Sequence, residues 1–545
     1  MKKSIVALSA VAALFSSSFA STISQEDLMK QIEALKAQIA TLESKVGSAQ
    51  STSKANKESL EKMMKGETPV SVNDERFKKL EKKVDRIGKT AKTAKIQSSS
   101  DNIKWDVDFR TQVDNIEYKH ASGAKTKNSN LMTNRLWLGM AYQPDDNTIF
   151  RGLLSYNKAF GDSANHSQSN TNPGYANFDW VTNENATDNT VKVKEAYWLY
   201  SDDKFFGNDM HWTVSVGRRP STDGLGINLR ANQTRKSPLS HTVNVEFDGA
   251  SAKFDLDKVT GVEGMWLKFC AGRGLTNATP RFDMFGDAYA EDEELNENVD
   301  MLGFIFVPWD NGQYSVHTNY ARAWNLIGFG ADDMNNFNYA YYNYSMNPSA
   351  QTAYEMQMAA PSFKDVGDIE LATIMFKAEG IGDGISDYLD DTIFFASAAM
   401  SMTHPSGTDG GMLGSEESQI GHSYWIGVNA PCPLTPDKAR IGIEWNHGSK
   451  YWRPMTYGED TYAGSKIAAR GDAYEIYRNQ QITKSLEFGL SYVYIDYNYT
   501  GSNSFFGYDG KPVAMSDAKA AYEAGNGSDP VESAQDIKAY VRYRF

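Results

Sequence analysis

The sequence of 545 residues predicts an all-β transmembrane antiparallel barrel of about 16 strands (14–18), preceded by an N-terminal α-helical coiled coil. Three observations predict this fold class: an apolar leader, a heptad repeat behind it, and short alternating segments whose connections are short and long in turn. A mean hydropathy of −0.52 argues against a helical membrane protein, because such a protein needs runs of about 18 apolar residues.

Residues 1–20 predict a signal peptide. Lys2 and Lys3 precede a short apolar run, and Ser18 and Ala20 are small residues at the positions that a signal peptidase reads. We therefore expect an exported protein. A secreted soluble β protein is the alternative at this point.

Residues 21–65 predict a periplasmic coiled coil, since apolar residues recur at spacings of four and three: Leu28, Ile32, Leu35, Ile39, Leu42 and Val46. Gly66 and Pro69 then interrupt the pattern, and 66–104 predicts a second short helix with a polar tether. An amphipathic helix folded back on another domain is the alternative.

Residues 105–545 predict the barrel, because each candidate strand alternates apolar and polar side chains. The candidate strands lie at 105–116, 132–143, 148–160, 191–200, 211–219, 242–256, 264–273, 299–308, 313–324, 369–378, 391–402, 421–430, 439–446, 471–479, 485–497 and 535–545. In 105–116, for example, Trp105 and Phe109 take one face and Asp108 and Arg110 the other. Both Trp137 and Trp198 fall on the inward parity.

The connections orient the predicted barrel. Those after even-numbered strands are short and those after odd-numbered strands are longer, reaching about forty residues at 325–368. Outer-membrane barrels have short periplasmic turns and long outer loops. Both ends of the barrel are therefore expected in the periplasm, next to the coiled coil.

The last strand carries an assembly pattern. Val541, Tyr543 and the terminal Phe545 share its apolar face. This pattern resembles the C-terminal signal by which outer-membrane barrels of Gram-negative bacteria are recognised by the barrel-assembly machinery. The resemblance implies an outer-membrane location.

Two loops have opposite charge. The loop at 217–241 carries Arg218, Arg219, Arg230 and Arg235 against Asp223, and it follows the fifth strand, as does the loop that folds into the barrel of general porins. We expect it to form a pore constriction, or alternatively to lie outside. The loop after the seventh strand is acidic and is expected to face the basic loop or to bind divalent cations outside, through Asp287, Glu291, Asp292, Glu293 and Glu294.

Charge predicts a weak preference for cations. The barrel region has 36 basic and 57 acidic residues, whereas 21–104 has 17 and 12. An acidic barrel attracts cations, and the basic residues of the third loop oppose this effect. The alternative is that most of the acidic residues lie in solvated outer loops and have little influence on the pore.

Catalysis is not expected. The eight histidines are scattered, and no HExxH or GxSxG motif occurs. Two cysteines, Cys270 and Cys432, give neither a disulfide framework nor a haem attachment site. We therefore predict no enzyme activity, no cofactor and no nucleic-acid partner, and leave any metal open.

The chain resembles outer-membrane porins with coiled-coil extensions. The segments NRLWLGM, FRGLLSYNKAFGD and VGRRPSTDG are similar to a domain-of-unknown-function family of putative porins. The resemblance supports the fold and leaves the solute open. Porins are usually trimers, so we expect a homo-oligomeric pore, with a trimer expected, in contact with outer-membrane lipid and lipopolysaccharide. The coiled coil is expected to hold the barrels together or to reach the peptidoglycan. A surface adhesin or a cell-wall-tethering barrel without an open pore is the alternative.

Overall fold

A computed structural model describes residues 103–162, 184–186, 189–236, 238–276, 284, 298–382, 384–456 and 461–545. Within them, sixteen antiparallel strands form one closed barrel in which each strand pairs with its chain neighbours and β1 pairs with β16. The predicted barrel is confirmed. The predicted signal peptide, coiled coil and most of the tether, as well as the acidic residues 287–294, lie outside the described residues.

The strands are β1 Lys104–His120, β2 Lys125–Tyr142, β3 Thr148–Ala159, β4 Val191–Phe205, β5 Asn208–Arg219, β6 Phe247–Asp255, β7 Trp266–Thr276, β8 Asn298–Asp310, β9 Tyr314–Gly328, β10 Lys364–Glu379, β11 Ile393–Pro405, β12 Ile420–Pro431, β13 Ala439–Gly448, β14 Gly471–Gln481, β15 Leu486–Tyr497 and β16 Val531–Arg544. The helices are α1 Ile227–Arg230, α2 Asp257–Thr260, α3 Ala331–Met346, α4 Ala350–Met358, α5 Asp387–Asp390 and α6 Met515–Glu523, with a 3₁₀ turn at Tyr508–Gly510. Among the described helices, none combines the length and apolar character needed to cross a membrane.

The two faces of the barrel follow the predicted alternation. On β1, Trp105 and Phe109 are 50% and 38% exposed, whereas Arg110 and Asp114 are buried on the inner side. On β16, Val541 faces outward in the same way, next to the buried Arg542. The outer face is therefore apolar and the inner face polar, as expected for strands between lipid and an aqueous lumen.

The inward parity predicted for Trp198 is wrong. A β-bulge in β4 leaves Lys194 without a partner in the pairing with β3, because Leu153 pairs with Glu195 and Leu154 pairs with Val193. Lys194 and Glu195 both point inward, so the parity of all later β4 residues is reversed. Trp198 is 45% exposed on the outer face, whereas Trp137 is buried as predicted.

Several predicted boundaries also differ from the structure, among them those of β6 and of the first hairpin. β6 begins at Phe247 instead of residue 242, because residues 240–246 are buried inside the barrel. The first outer connection is a short hairpin at 121–124, because β1 and β2 continue beyond their predicted ends. An ion pair of 2.6 Å between Lys125 Nζ and Glu117 Oε1 bridges these extensions.

Candidate pore constriction

The third loop, residues 220–246, folds into the lumen. Its apolar residues Leu225, Ile227 and Leu239 are almost fully buried, and they pack against Phe395 and Trp425 of the inner wall. Burial of apolar side chains inside an otherwise polar lumen gives the loop a small core of its own. The loop therefore belongs to the interior of the barrel.

Gly226 allows the loop to approach the wall. Its φ angle is 105°, which favours glycine, and a Cβ atom there would lie 2.1 Å from the Trp425 ring. The Gly-Leu-Gly sequence at 224–226 thus provides the close contact between α1 and β12.

The second half of the loop is hydrogen-bonded to β10, β11 and β12. The His241 ring lies 2.7 Å from Ser397 Oγ and 2.8 Å from Ser423 Oγ. Thr242 Oγ1 lies 2.7 Å from Thr373 Oγ1. Burial lowers the pKa of His241 to about 3, so the ring remains neutral between hydroxyl groups.

The tip of the loop reaches the other side of the lumen. Arg230 Nη1 lies 3.2 Å from Glu475 Oε2 on β14, and Asn479 Nδ2 donates to the Arg230 carbonyl oxygen at 3.0 Å. Arg542 Nη1 on β16 donates to the Ala231 carbonyl oxygen at 2.7 Å. The loop leaves the wall at β5 and rejoins it at β6, and its tip contacts β14–β16 on the opposite side of the ring, so it crosses the lumen.

The seventh loop, residues 449–470, supports the third loop. Its Met455 N–H donates to the Thr242 carbonyl oxygen at 2.9 Å. Lys466, which is fully buried, pairs with both Glu444 and Glu475 of the wall. Because Glu475 also pairs with Arg230, one charged network joins both loops to β13 and β14.

A narrow space of about 30 Å³ remains between the third loop and the wall formed by β1, β2 and β14–β16. Its basic lining side chains are Arg110, Arg135, Arg230, Lys538 and Arg542, and its acidic ones are Glu184, Asp223 and Glu475. The wall contributes four of the five cations, whereas Asp223 comes from the loop. Charges of both signs therefore face one another across the gap, and fixed charges in a narrow low-dielectric space focus the electric field.

A larger cavity of about 880 Å³, here called the vestibule, lies between the third loop and the end of the barrel that carries the short turns. Its basic lining side chains are Arg151, Arg219, Arg235, Lys236, Lys253, Lys268, Lys484, Arg542 and Arg544, and its acidic ones are Asp106, Asp108 and Glu195. The vestibule therefore has a strongly positive lining.

The residues predicted for the constriction occupy different places. Asp223 and Arg230 line the narrow gap, and Arg219 and Arg235 line the vestibule. Arg218 lines neither space, because its Nε donates to a backbone carbonyl oxygen of β4 at 3.2 Å.

Sequence reasoning missed the cations of the wall. Strand alternation predicts an inward face for Arg110, and for Arg542 as the residue between the outward Val541 and Tyr543, but this pattern alone does not show which inward residues meet the loop. The hydrogen bond from Arg542 to the Ala231 carbonyl oxygen at the tip of the third loop depends on the path of that loop across the lumen. Among the described residues, no group of three or more His, Cys, Asp or Glu side chains could hold a metal ion.

The chain belongs to the family described as "Protein of unknown function (DUF3373)", whose model matches residues 125–545. No curated protein matches it. Two solved structures with similar barrels are OmpT of Vibrio cholerae (trimer form) and OprB of Pseudomonas putida. For OmpT the identity is 11% and the TM-score 0.40, covering 82% of this chain and 99% of that one. For OprB the identity is 10% and the TM-score 0.42, covering 83% of this chain and 96% of that one.

Salmonella typhi OmpF in complex with daunomycin is also similar, with 10% identity and a TM-score of 0.39, covering 82% of this chain and 98% of that chain. The barrel architecture of the present chain rests on its own strand pairing.

Proposed function

We propose that this protein is an outer-membrane porin through which small hydrophilic solutes or ions diffuse passively. The observation that carries the proposal is a closed sixteen-strand barrel with a polar lumen, crossed by a loop that leaves a narrow, charge-lined gap. Such a loop sets the size and charge limits of a diffusion path without any catalytic step.

Planar-bilayer recording of the purified full chain tests the proposal. We expect steady conductance steps, and a tight seal at all voltages would contradict a pore. A sharper version replaces Cys270 and Cys432 with Ser and introduces Gln233→Cys, at a half-buried position that lines both the gap and the vestibule beside it. A cationic thiol reagent should then reduce conductance, whereas the control Ile443→Cys, on the outer face of β13, should show no change.

The alternative function is a surface adhesin or a cell-wall-tethering barrel without an open pore. Its support is the extent to which the third and seventh loops fill the lumen, together with tyrosines exposed on the long fifth loop, such as Tyr339 and Tyr342. The bilayer recording separates the two functions, because only the porin conducts.

The proposed location is the outer membrane of a Gram-negative bacterium, with the short turns and residues 21–100 in the periplasm. Val541, Tyr543 and Phe545 are 45%, 44% and 65% exposed, in keeping with a signal available to the barrel-assembly machinery. A homotrimer, contacts with lipopolysaccharide and contacts with peptidoglycan are parts of the same proposal. No enzymatic activity is proposed.

Two features of the chain favour opposite ion selectivities. The acidic balance of the barrel region predicts a weak preference for cations. The side chains that line the gap and the vestibule are mostly basic, and charges close to a solute act more strongly than distant solvated ones. We therefore propose that the lining residues, and not the net charge of the barrel region, determine the ion selectivity.

A further inference from the structure

The vestibule has a charge opposite to that of the whole chain. Nine basic and three acidic side chains line it, although the chain carries a formal net charge of −14. A concave site with a positive lining and low-dielectric walls raises the local concentration of anions. The question is which of these cations remain available to a ligand.

Most of the acidic groups around the vestibule already have cationic partners. Asp108 accepts from Arg542 Nε at 2.7 Å, and Glu195 pairs with Lys236. Glu487, just outside the lining, accepts from Arg544 Nη2 at 2.9 Å. These pairs offset each other's charge and leave other cations of the lining without a carboxylate in contact.

Arg219 is one such cation. Its guanidinium lies 4.2 Å from the centre of the Tyr197 ring, and this stacking fixes its plane. Its Nε and Nη1 atoms are buried and have no hydrogen-bond partner among the described residues. Buried donors without a partner are costly and indicate a position where an acceptor outside the protein can bind.

Arg235 is the second cation of the lining without a carboxylate in contact. Its Nη2 lies 3.2 Å from His317 Nδ1, and His317 Nε2 lies 2.7 Å from Ser315 Oγ. An arginine side chain only donates, so Nδ1 must be the acceptor and the imidazole must be neutral. Arg235 is therefore held in place by an uncharged partner, and no carboxylate of the described residues forms an ion pair with it.

We infer that the vestibule is a binding site for small oxyanions, either inorganic phosphate or a short carboxylate, held by the guanidinium groups of Arg219 and Arg235. Guanidinium donors form paired hydrogen bonds with the oxygens of both anion types. Because the site lies next to the gap, it also makes the channel prefer anions. This second statement rests on the proposed porin function, whereas the binding itself does not.

Isothermal titration calorimetry on the purified full chain tests the binding, with inorganic phosphate and with succinate as separate titrants at low ionic strength. We expect at least one of them to bind and the double variant Arg219→Gln/Arg235→Gln to bind at least about tenfold more weakly, because hydrogen bonds between charged groups are lost. Which titrant binds more tightly identifies the class of oxyanion.

The matched control is Arg273→Gln. Arg273 is exposed, pairs with Asp300 at 2.7 Å and lies outside the vestibule lining, so binding should not change. Circular dichroism should show that all variants are folded. No heat of binding with either anion, or equal affinity in the double variant, would overturn the site.

Reversal potentials in a salt gradient test the selectivity. We expect anion preference in the unmodified protein and a shift toward cations in the double variant. Cation preference that is unchanged in the double variant would contradict the inferred selectivity. Binding without conductance would contradict the porin proposal and leave the anion site intact. Conductance without binding would contradict the anion site and leave the porin proposal intact.

Discussion

Lys466 is the residue on which the charged network inside the barrel depends most. It is fully buried and contacts both Glu444 and Glu475. Lys466→Met should destabilise the protein by about 3–5 kcal/mol, because two carboxylates remain buried with fewer compensating charges. Thermal unfolding followed by circular dichroism measures the effect.

Two further variants control that experiment. Lys519→Met, on the exposed face of α6, should leave the unfolding midpoint nearly unchanged. Adding Glu444→Gln to Lys466→Met should recover part of the loss, since it removes one of the uncompensated charges. An unchanged midpoint in Lys466→Met would mean that the network does not stabilise the loops.

Gly226 allows the third loop to approach β12 closely. Gly226→Ala should cost about 1–3 kcal/mol through overpacking against Trp425 and should alter single-channel conductance as the loop shifts. Gly312→Ala is the control, because Gly312 also has a positive φ but has open space around it. Equal effects of the two substitutions would show that backbone conformation, not the Trp425 contact, is responsible.

At this scale the sequence predicts which side chains face inward wherever a strand is regular. The prediction of inward-facing residues fails from Lys194 onward in β4, because a β-bulge depends on the pairing with β3 and leaves no distinct pattern in residues 191–200. The sequence also does not show that Lys194 forms ion pairs with Glu184 and Glu246, which lie in separate loops. Contacts between distant segments need the folded chain.

The third loop is the element that narrows the lumen of the barrel, and its second half should be immobile. In a protein with Ser at positions 270 and 432, Thr242→Cys and Thr373→Cys should form a disulfide on oxidation, because the native hydroxyl oxygens are 2.7 Å apart. Conductance should stay the same, since the bond fixes a position that the loop already occupies.

A second pair of cysteines provides the comparison. Thr242→Cys with Thr133→Cys should not form a disulfide, because β2 lies on the opposite side of the ring of strands from β10. Efficient bonding of this pair, seen by mass spectrometry without reduction, would indicate a mobile loop.

Element boundaries on the short-turn side are mostly predicted well, except between β4 and β5, where the predicted connection of residues 201–210 is a turn at 206–207. On the other side they are predicted less well. Short turns such as 311–313 are bounded by apolar alternation, which lipid contact requires. Past residue 116 of β1 and before residue 132 of β2, both strands carry mostly polar residues, so alternation no longer distinguishes strand from loop. Ion pairs such as that between Glu117 and Lys125 support the extended hairpin instead.

On the scale of the whole molecule, the barrel should fold without its N-terminal segment. A variant lacking residues 21–100 should retain the circular dichroism spectrum of a β protein, because the sixteen strands close on themselves. The proposed coiled coil predicts that the oligomer will weaken, which analytical ultracentrifugation in detergent measures. If the oligomer is equally stable without the segment, residues 28–46 do not hold the subunits together.

The path of the third loop also has a mechanical consequence. A wide barrel resists flattening poorly, since hydrogen bonds between strands act along its circumference and not across its diameter. The loop is anchored covalently at β5 and β6 and by hydrogen bonds at β14–β16 on the opposite side of the ring, so it braces the barrel across its diameter like a strut. The cross-section should therefore keep its shape under lateral pressure, and the width of the opening would be set by the length of the strut.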